Sequence, residues 1–323
     1  MSSDIDHLVF SADRRMLGGL HVAVLSILQN YASDRNISLH LFSEDLNDAD
    51  IDLLKQTLAT AGRNFEFVHE KVDSSLFAGF PTLQDSLATY FRLVAPVVLD
   101  VDRFLYCDVD TLCQVDLSPL LELDMSGCPI ALTPEAPIHG SPDPDVAREL
   151  GEEARGFYYN AGVMVVDAKQ WRSEGLTNRC LEYIADRKPN WHDQSALNFV
   201  LHGRIQKLPS QYNCRTNVRK AWSDLLSSKN GYGYLLHFVD FPKPWSPFGR
   251  WVHPWGKLWG QHYRATKHYR DKIALNEVNC LRVLMGNRKG YQKIFKDRVL
   301  FSLLRTGLVR RVKGMEVDAP SSP

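Results

Sequence analysis

The 323-residue sequence lacks several features that would each point to a particular class of protein. Its six cysteines include no CxxC pair, which excludes a zinc cluster and a thioredoxin-type redox site. No apolar run approaches the roughly 18 residues that a membrane span requires, and the first residues lack the basic-then-apolar layout of a signal peptide. We therefore expect a cytoplasmic protein.

Net charge is also lacking, because 38 Lys and Arg residues balance 38 Asp and Glu residues. A neutral chain has no field that would collect nucleic acid, so we expect no nucleic-acid partner. The balance is uneven, however, because residues 264–313 contain 14 basic and three acidic residues. With leucines at helical spacing, this segment predicts a basic amphipathic helix in peripheral contact with an anionic membrane. The alternative is a helix packed on the body of the protein.

The periodicity of apolar residues predicts the fold class. Strands are predicted at 5–10, 37–42 and 103–107, with helical patterns between them. Such alternation predicts an α/β fold with a doubly wound, mostly parallel sheet and flanking helices. Residues 133–155 contain four prolines and two glycines with little periodicity. We interpret them as a long irregular loop that acts as a lid over the ligand.

Asp108 and Asp110 directly follow the apolar strand at 103–107. Asp-x-Asp pairs also start at five other positions in this chain, so the pair alone decides nothing. Its place is informative, because open α/β sheets bind ligands at the carboxyl ends of their strands, and strand alternation directs both carboxylates to one side. Two convergent carboxylates repel each other unless a cation lies between them, so we predict a divalent ion. The alternative is a solvated turn.

Six short motifs lie in order between residues 8 and 245. They are FSAD at 10–13, TYFR at 89–92, YCDVDTL at 106–112, FYYNAGVMVVD at 157–167, HDQSALN at 192–198 and HFVDFPKPW at 237–245. In this order and spacing they resemble glycosyltransferase family 8, the retaining α-glycosyltransferases of the GT-A fold. The resemblance and the charge pattern imply a catalytic, nucleotide-sugar-binding domain at 1–262. A basic helical extension with a disordered end then occupies 263–323.

The resemblance implies a metal site and a set of phosphate contacts. Asp108 and Asp110 would bind a Mn²⁺ ion that bridges the diphosphate of a UDP-sugar, and His237 would be the third protein ligand. Two carboxylates and an imidazole favour Mn²⁺ over Mg²⁺, which stays the second choice. Lys243 would place a positive charge near the phosphates. The alternative for His237 is a core histidine that ends a strand.

The resemblance also implies residues that bind the donor. This set comprises Ser11, Ala12, Asp13, Arg92, Asp108, Val109, Asn160, Ala161, Asp193 and Lys243. Ala12 and Asp13 resemble uridine contacts, whereas Arg92, Asn160 and Ala161 match positions that hold the donor sugar, together with Asp193. Each assignment has a structural alternative. Ala12 and Asp13 could simply end a strand, Arg92 could be a charge on a helix surface, and Asn160 could be a turn residue.

The implied catalytic residues are Gln194 and Asp193. Gln194 matches the residue that lies near the reacting anomeric carbon. The alternative is a structural role, in which Gln194 is only an amide side chain near the start of a helix. A neutral amide is a poor nucleophile, so we expect a front-side displacement rather than a covalent intermediate.

Three departures from the family pattern occur. Asp240 stands where a glycine is usual, Arg15 and Met16 stand where Asn and Tyr are frequent, and Gln84 replaces an acceptor-binding His.

The implied function is transfer of a hexose from UDP-galactose or UDP-glucose to a glycan or glycolipid acceptor. Lipopolysaccharide or another surface polysaccharide, built at the cytoplasmic face of the inner membrane, is the expected product. Two alternatives have different chemistry. A nucleotide-sugar-binding protein without turnover is one. The other is a haloacid dehalogenase-type phosphatase, because the apolar strand that ends in DVDT in this chain resembles the first motif of those enzymes.

Overall fold

The structure is a computed structural model that describes residues 5–83, 85–216, 232–239, 243–246, 249 and 253–269. Its first half alternates strands and helices, as the periodicity predicts. The elements in order are β1 (Ile5–Ser11), α1 (Leu17–Asn30), β2 (Asn36–Ser43), α2 (Asp48–Leu58), β3 (Phe65–Lys71), α3 (Phe91–Val98) and β4 (Arg103–Cys107).

Local sequence explains where these elements begin and end. β2 is buried at seven of its eight positions, as expected for a parallel strand that is covered on both faces. α2 begins with a capping box between Asn47 and Asp50, and Asp48 lies in its first turn. The Asp-x-Asp pair formed by Asp48 and Asp50 is therefore structural. A 3₁₀ turn after α2 ends at Gly62, whose φ of 70° suits glycine.

The remaining strands and α-helices of the described residues follow β4. They are β5 (Thr111–Cys113), β6 (Ile130–Pro137), α4 (Pro144–Leu150), β7 (Phe157–Asp167), α5 (Ala168–Ser173), α6 (Leu176–Arg187), α7 (His192–Val200), β8 (Ile205–Lys207), β9 (Cys214–Thr216), β10 (Leu235–Phe238) and α8 (Gly256–Ala265).

Seven strands form the central sheet in the order β3-β2-β1-β4-β7-β6-β8. β1 pairs in parallel with both β2 and β4, whereas β7 is antiparallel to β4 and to β6. Alternation along β1 sends Leu8 and Phe10 to the core cluster under α1 and α2, and sends Val9 to the cluster under α3. The fold is the predicted α/β type, mostly parallel and covered by helices on both faces.

The strand order reverses between β1 and β4, and this is where such sheets bind ligands. β1 ends at Ser11 and β4 ends at Cys107, so the residues that follow each strand meet at one edge. A second sheet, β5-β10-β9, lies beside this edge. In it, His237 of β10 is paired with Thr111 of β5, so the small sheet delivers His237 to the Asp108–Asp110 turn.

The prediction that residues 133–155 form a long irregular loop is wrong. The segment completes β6, forms α4 and supports a small core that contains Ile138, Val146, Ala147, Ala154 and Tyr158. Its prolines interrupt the periodicity without preventing structure. Pro134 lies at a shift of register between β6 and β7, and Pro144 occupies the first turn of α4, where no N–H is needed.

The described helices include none that is long and apolar enough to cross a membrane. α8 runs through the domain boundary predicted at 262/263. Residues from 270 onwards, which contain most of the predicted basic extension, lie outside the described residues.

The core under α4 gives a direct test of this correction. Ile138 is 2% exposed, so Ile138→Ala should lower the free energy of unfolding by about 2–5 kcal/mol, because it leaves a cavity. Leu76→Ala is the control, since Leu76 is 65% exposed and should change stability by less than about 0.5 kcal/mol. Urea unfolding measures both. Equal stability of the two variants would mean that the segment is not part of the folded core.

Candidate active site

A buried arginine organises the end of β4. Arg92, in the first turn of α3, is only 6% exposed, and its Nη2 lies 2.7 Å from Asp108 Oδ1. The Tyr106 hydroxyl donates to the same oxygen at 2.9 Å, and the guanidinium lies 4.5 Å from the centre of the Tyr106 ring. Asp108 therefore has one oxygen fully engaged by protein, which leaves Oδ2 for another partner.

The same guanidinium joins two further elements to β4. Arg92 Nη1 donates to the Ala161 carbonyl of β7 at 2.5 Å, and Nε lies 3.1 Å from Asp193 Oδ2 of α7. Thr89 donates its hydroxyl to the other Asp193 oxygen. Burial lowers the pKa of Arg92, but Asp108 and Asp193 outweigh burial and hold that pKa above its usual value. Arg92 is therefore a buried permanent cation, and the alternative of a helix-surface charge is wrong.

Asp110 lies between Lys243 and His237. Lys243 Nζ is 2.7 Å from Asp110 Oδ2 and also donates to the carbonyl of Phe238, whereas His237 Nε2 is 3.2 Å from Asp110 Oδ1. Burial raises the pKa of Asp110, but Lys243 and His237 together bring it below its usual value. Burial raises the pKa of Asp108, and the neighbouring Asp110 adds to that increase against the opposing effect of Arg92.

Three ligand atoms converge at this point. Asp108, Asp110 and His237 each offer one atom, and these atoms lie within 4.8 Å of one another. His237 Nε2 is 3.8 Å from Asp108 Oδ2, and His237 Nδ1 is engaged by Asn213 Oδ1 at 2.9 Å. Every residue of the trio thus has its second polar atom held by protein, which is how proteins orient metal ligands. This donor set suits a divalent cation.

Gln194 is held by hydrogen bonds at both ends of its amide. Its Oε1 accepts from Asn160 Nδ2 at 3.0 Å and from the Ala161 backbone N–H at 3.1 Å. Its Nε2 donates to the Tyr158 hydroxyl at 3.3 Å. Because a backbone N–H can only donate, the contact with Ala161 fixes which end of the amide is the oxygen.

An irregularity in the β6–β7 ladder frees the β7 backbone for these contacts. The pairing jumps from Leu132–Met164 to Thr133–Asn160, so Ala161 and Gly162 are not paired with β6. Gly162 uses its carbonyl to accept from the Asp108 N–H at 2.7 Å. Such bulges are frequent beside active sites, because they release main-chain groups from the ladder.

The end of β1 forms the other wall of the site. The Ala12 N–H donates to the Phe42 carbonyl, and Asp13 caps the following 3₁₀ turn by accepting from the Arg15 N–H at 3.0 Å. The cleft has a volume of about 560 Å³, within the usual range for ligand sites. All the predicted site residues line it, namely Ser11, Ala12, Asp13, Arg92, Asp108, Val109, Asp110, Asn160, Ala161, Asp193, Gln194, His237 and Lys243.

The departures noted in the sequence fall in different places. Arg15 and Met16 line the same cleft next to Asp13. Gln84 and Asp240 lie outside the described residues.

Comparison with known proteins gives the family. The model of glycosyl transferase family 8 matches residues 7–248, about three quarters of the chain. This chain belongs to glycosyltransferase family 8. As predicted, it is an enzyme and its class is hexosyltransferase. Family membership overturns both alternatives, the phosphatase and the binding protein without turnover.

Individual relatives agree with this family. General stress protein A of Bacillus subtilis is 26% identical over 82% of this chain and 95% of its own length. A lipopolysaccharide 1,2-glucosyltransferase of Escherichia coli K12 is 28% identical over 85% of this chain and 78% of its own length. The structure of galactosyltransferase LgtC with donor and acceptor sugar analogues aligns with a TM-score of 0.68 at 22% identity. That alignment covers 82% of this chain and 98% of LgtC, and it establishes the GT-A fold.

The sequence predicted no role for three residues of this family 8 site. Tyr106 supports Asp108, Asn213 holds His237, and Gly162 leaves room for the His237 ring. A signal existed for Gly162, because a glycine inside an apolar strand marks close approach by another group. The other two are ordinary residues in their local sequence, and only the fold brings them to the site.

Gly162 provides a test of the site geometry. A Cβ at this position would lie 2.6 Å from His237 Nδ1 and 3.0 Å from Asp108 Oδ2. Gly162→Ala should therefore displace His237 and disrupt its convergence with Asp108 and Asp110. If Mn²⁺ with UDP raises the melting temperature of the wild type, it should raise that of Gly162→Ala much less. Gly140→Ala is the matched control, since a Cβ there meets nothing within 4 Å. Undiminished stabilisation of Gly162→Ala by Mn²⁺ and UDP would contradict this geometry.

Proposed function

We propose that this family 8 enzyme transfers a hexose from UDP-galactose or UDP-glucose to a glycan or glycolipid acceptor, with retention of configuration and with Mn²⁺. The observation that carries the proposal is the convergence of Asp108 Oδ2, Asp110 Oδ1 and His237 Nε2 where the strand order reverses. A nucleoside diphosphate needs such a cation, because its own charges oppose those of the carboxylates.

Charge balance supports a cation and a diphosphate together. Arg92 and Lys243 face three carboxylates, Asp108, Asp110 and Asp193, which leaves the cluster with one excess negative charge. A divalent ion reverses that sign and makes the cluster attractive to phosphate. Mn²⁺ fits the mixed carboxylate and imidazole donors better than Mg²⁺ does, and it would act as a Lewis acid toward the departing UDP.

The walls of the cleft suggest where each part of the donor binds. We assign the uridine to the end of β1, at Ser11, Ala12 and Asp13, which lie next to Arg15 and Met16 in the cleft. Val109 lies between the two acidic metal ligands and contributes to the diphosphate region. Lys243 is held by Asp110 in this structure, and we assign it to the phosphates of the bound donor.

The donor sugar is assigned to the opposite wall of the cleft. Arg92, Asp193, Asn160 and Ala161 line this wall beside Gln194. Asp193 is buried and paired with Arg92, so its main contribution is to keep the guanidinium oriented toward the site. Asn160 uses one amide hydrogen on Gln194 and retains the other for a sugar hydroxyl.

The state of Gln194 supports a front-side displacement. Its carbonyl oxygen already accepts two hydrogen bonds, so it is poorly suited to attack the anomeric carbon. In the proposed reaction the acceptor oxygen bonds to that carbon as the bond to the phosphate oxygen breaks. The acceptor proton passes to the departing phosphate oxygen, and Arg92 and Lys243 stabilise the charge that develops.

The acceptor class and cellular location are proposed from the relatives. The named enzymes include a lipopolysaccharide 1,2-glucosyltransferase, so we propose lipopolysaccharide or another surface polysaccharide as the product. Such an acceptor would be met at the cytoplasmic face of the inner membrane. The basic segment at 264–313 would strengthen contact with anionic lipid there.

Metal dependence is the first test of this proposal. Release of UDP from UDP-hexoses should stop with a chelator and return best with Mn²⁺. Asp108→Asn and Asp110→Asn should each lower turnover by at least about 100-fold, because each removes a charged ligand. The matched control is Asp145→Asn, which alters the second residue of another Asp-x-Asp pair; its side chain is 46% exposed and lies outside the cleft. Full activity of either site variant in the presence of the chelator would exclude the metal role.

Stereochemistry is the second test. With an α-linked UDP-hexose, NMR of the anomeric proton should show an α-linked product, because front-side displacement retains configuration. The spectrum should be recorded before slow isomerisation or hydrolysis alters the product. A β-linked product would refute both the retaining mechanism and the assigned role of Gln194.

A further inference from the structure

Asn213 connects the proposed metal ligand to the proposed sugar site. It ends the 3₁₀ turn at Ser210–Asn213 and is 2% exposed. Its Oδ1 lies 2.9 Å from His237 Nδ1, and its Nδ2 lies 2.8 Å from Asn160 Oδ1. Asn160 in turn contacts Gln194. The side chains of His237, Asn213, Asn160 and Gln194 thus form one continuous hydrogen-bonded relay.

Two backbone N–H groups fix the direction of every hydrogen bond in this relay. The Gly162 N–H donates to Asn160 Oδ1 at 3.0 Å, so that atom must be an oxygen. Asn213 must then present its nitrogen to Asn160 and its oxygen to His237. It follows that His237 Nδ1 carries a proton and donates to Asn213. At the other end, the Ala161 N–H fixes Gln194 Oε1 as the acceptor.

The relay determines what His237 presents to the cation site. With the proton on Nδ1, a neutral imidazole has its lone pair on Nε2, toward Asp110 Oδ1 at 3.2 Å and Asp108 Oδ2 at 3.8 Å. Without Asn213 the ring could place its proton on Nε2 instead and donate it to Asp110. That tautomer has its lone pair on Nδ1 and none on Nε2, the atom that faces the two aspartates.

We propose that Asn213 is a positioning residue that holds His237 in its metal-binding tautomer and, through Asn160, orients the amide of Gln194. The inference rests on the proposed metal-dependent function. It adds that the two ends of the site are coupled, so that one residue outside the cleft lining affects both cation binding and sugar transfer.

The first measurement is the affinity for Mn²⁺ in the presence of UDP, from the EPR signal of free Mn²⁺. Asn213→Leu removes both amide contacts and should weaken Mn²⁺ binding by about 10- to 100-fold, as loss of a ligand's hydrogen-bonding partner typically does. Asn30→Leu is the matched control. Asn30 also donates to two partners, the carbonyls of Ser26 and Cys113, but lies outside the cleft. Its variant should bind Mn²⁺ as the wild type does.

Asn213→Asp separates the two roles of the relay. A carboxylate still accepts from His237 Nδ1, so Mn²⁺ affinity should equal or exceed that of the wild type. It cannot donate to Asn160, however, and repels Asn160 Oδ1. The amide of Gln194 then loses its support, and transfer should slow by about tenfold or more even at saturating Mn²⁺. A merely structural role would not produce normal metal affinity with slow transfer.

The outcomes distinguish this inference from the function on which it rests. A wild type that binds no Mn²⁺ with UDP would overturn both. Mn²⁺ binding within threefold of wild type in Asn213→Leu would overturn the relay while the proposed function stands. Equal loss of Mn²⁺ affinity in the Asp and Leu variants would also overturn it. If Asn213→Leu does not fold, the isosteric variant Asn213→Asp tests the relay alone. Normal Mn²⁺ affinity with slow sugar transfer would support the relay, and any other combination would overturn it.

Discussion

The ion pairs of a single buried guanidinium hold this active site together. Arg92 lies between Asp108 at the end of β4 and Asp193 in α7, and it also binds the main chain of β7. The Asp193 side chain is only 4% exposed and that of Asp108 is 21% exposed. A buried carboxylate such as Asp193 requires a fixed cation, and removing one partner of such a pair typically costs about 3–5 kcal/mol. Arginine suits the position because it is permanently charged and can contact several acceptors in one plane.

Strand β7 is the rigid base on which the rest of the site is built. Within two residues, Ala161 and Gly162 offer backbone groups to Arg92, Gln194, Asp108 and Asn160. The backbone groups of Ala161 are available because the pairing with β6 shifts at this point, whereas the Gly162 carbonyl continues the ladder with β4. A strand therefore supports the Asp108–Asp110 turn and Gln194, which limits the movement of groups that must meet the donor.

Much of this architecture was predictable, and the limits have physical causes. The alternation of buried strands and amphipathic helices is a local signal, so β1, β2 and β4 were found with nearly correct bounds. The position of Asp108 and Asp110 followed from the strand that precedes them. Residues 133–155 were misjudged, because prolines disrupt periodicity even where the backbone needs no donor at those positions.

Non-local contacts set the other limit. His237 reaches Asp110 only through pairing of β10 with β5, and Asn213 reaches His237 from a short turn before β9. Nothing in the residues around Asn213 indicates that its amide is buried against a histidine. The resemblance of the motifs to family 8 predicted His237 and Gln194. The hydrogen bonds that connect these two residues are visible only in the structure.

We propose that His237 Nε2 completes a cation site with the two aspartates. Pulsed EPR of the Mn²⁺–UDP complex tests it most directly, because the electron spin of Mn²⁺ couples to a nitrogen nucleus that is bound to it. We expect the coupling of one imidazole nitrogen in the wild type and its disappearance in His237→Gln. A wild-type spectrum without nitrogen coupling, or the same coupling in His237→Gln, would contradict it.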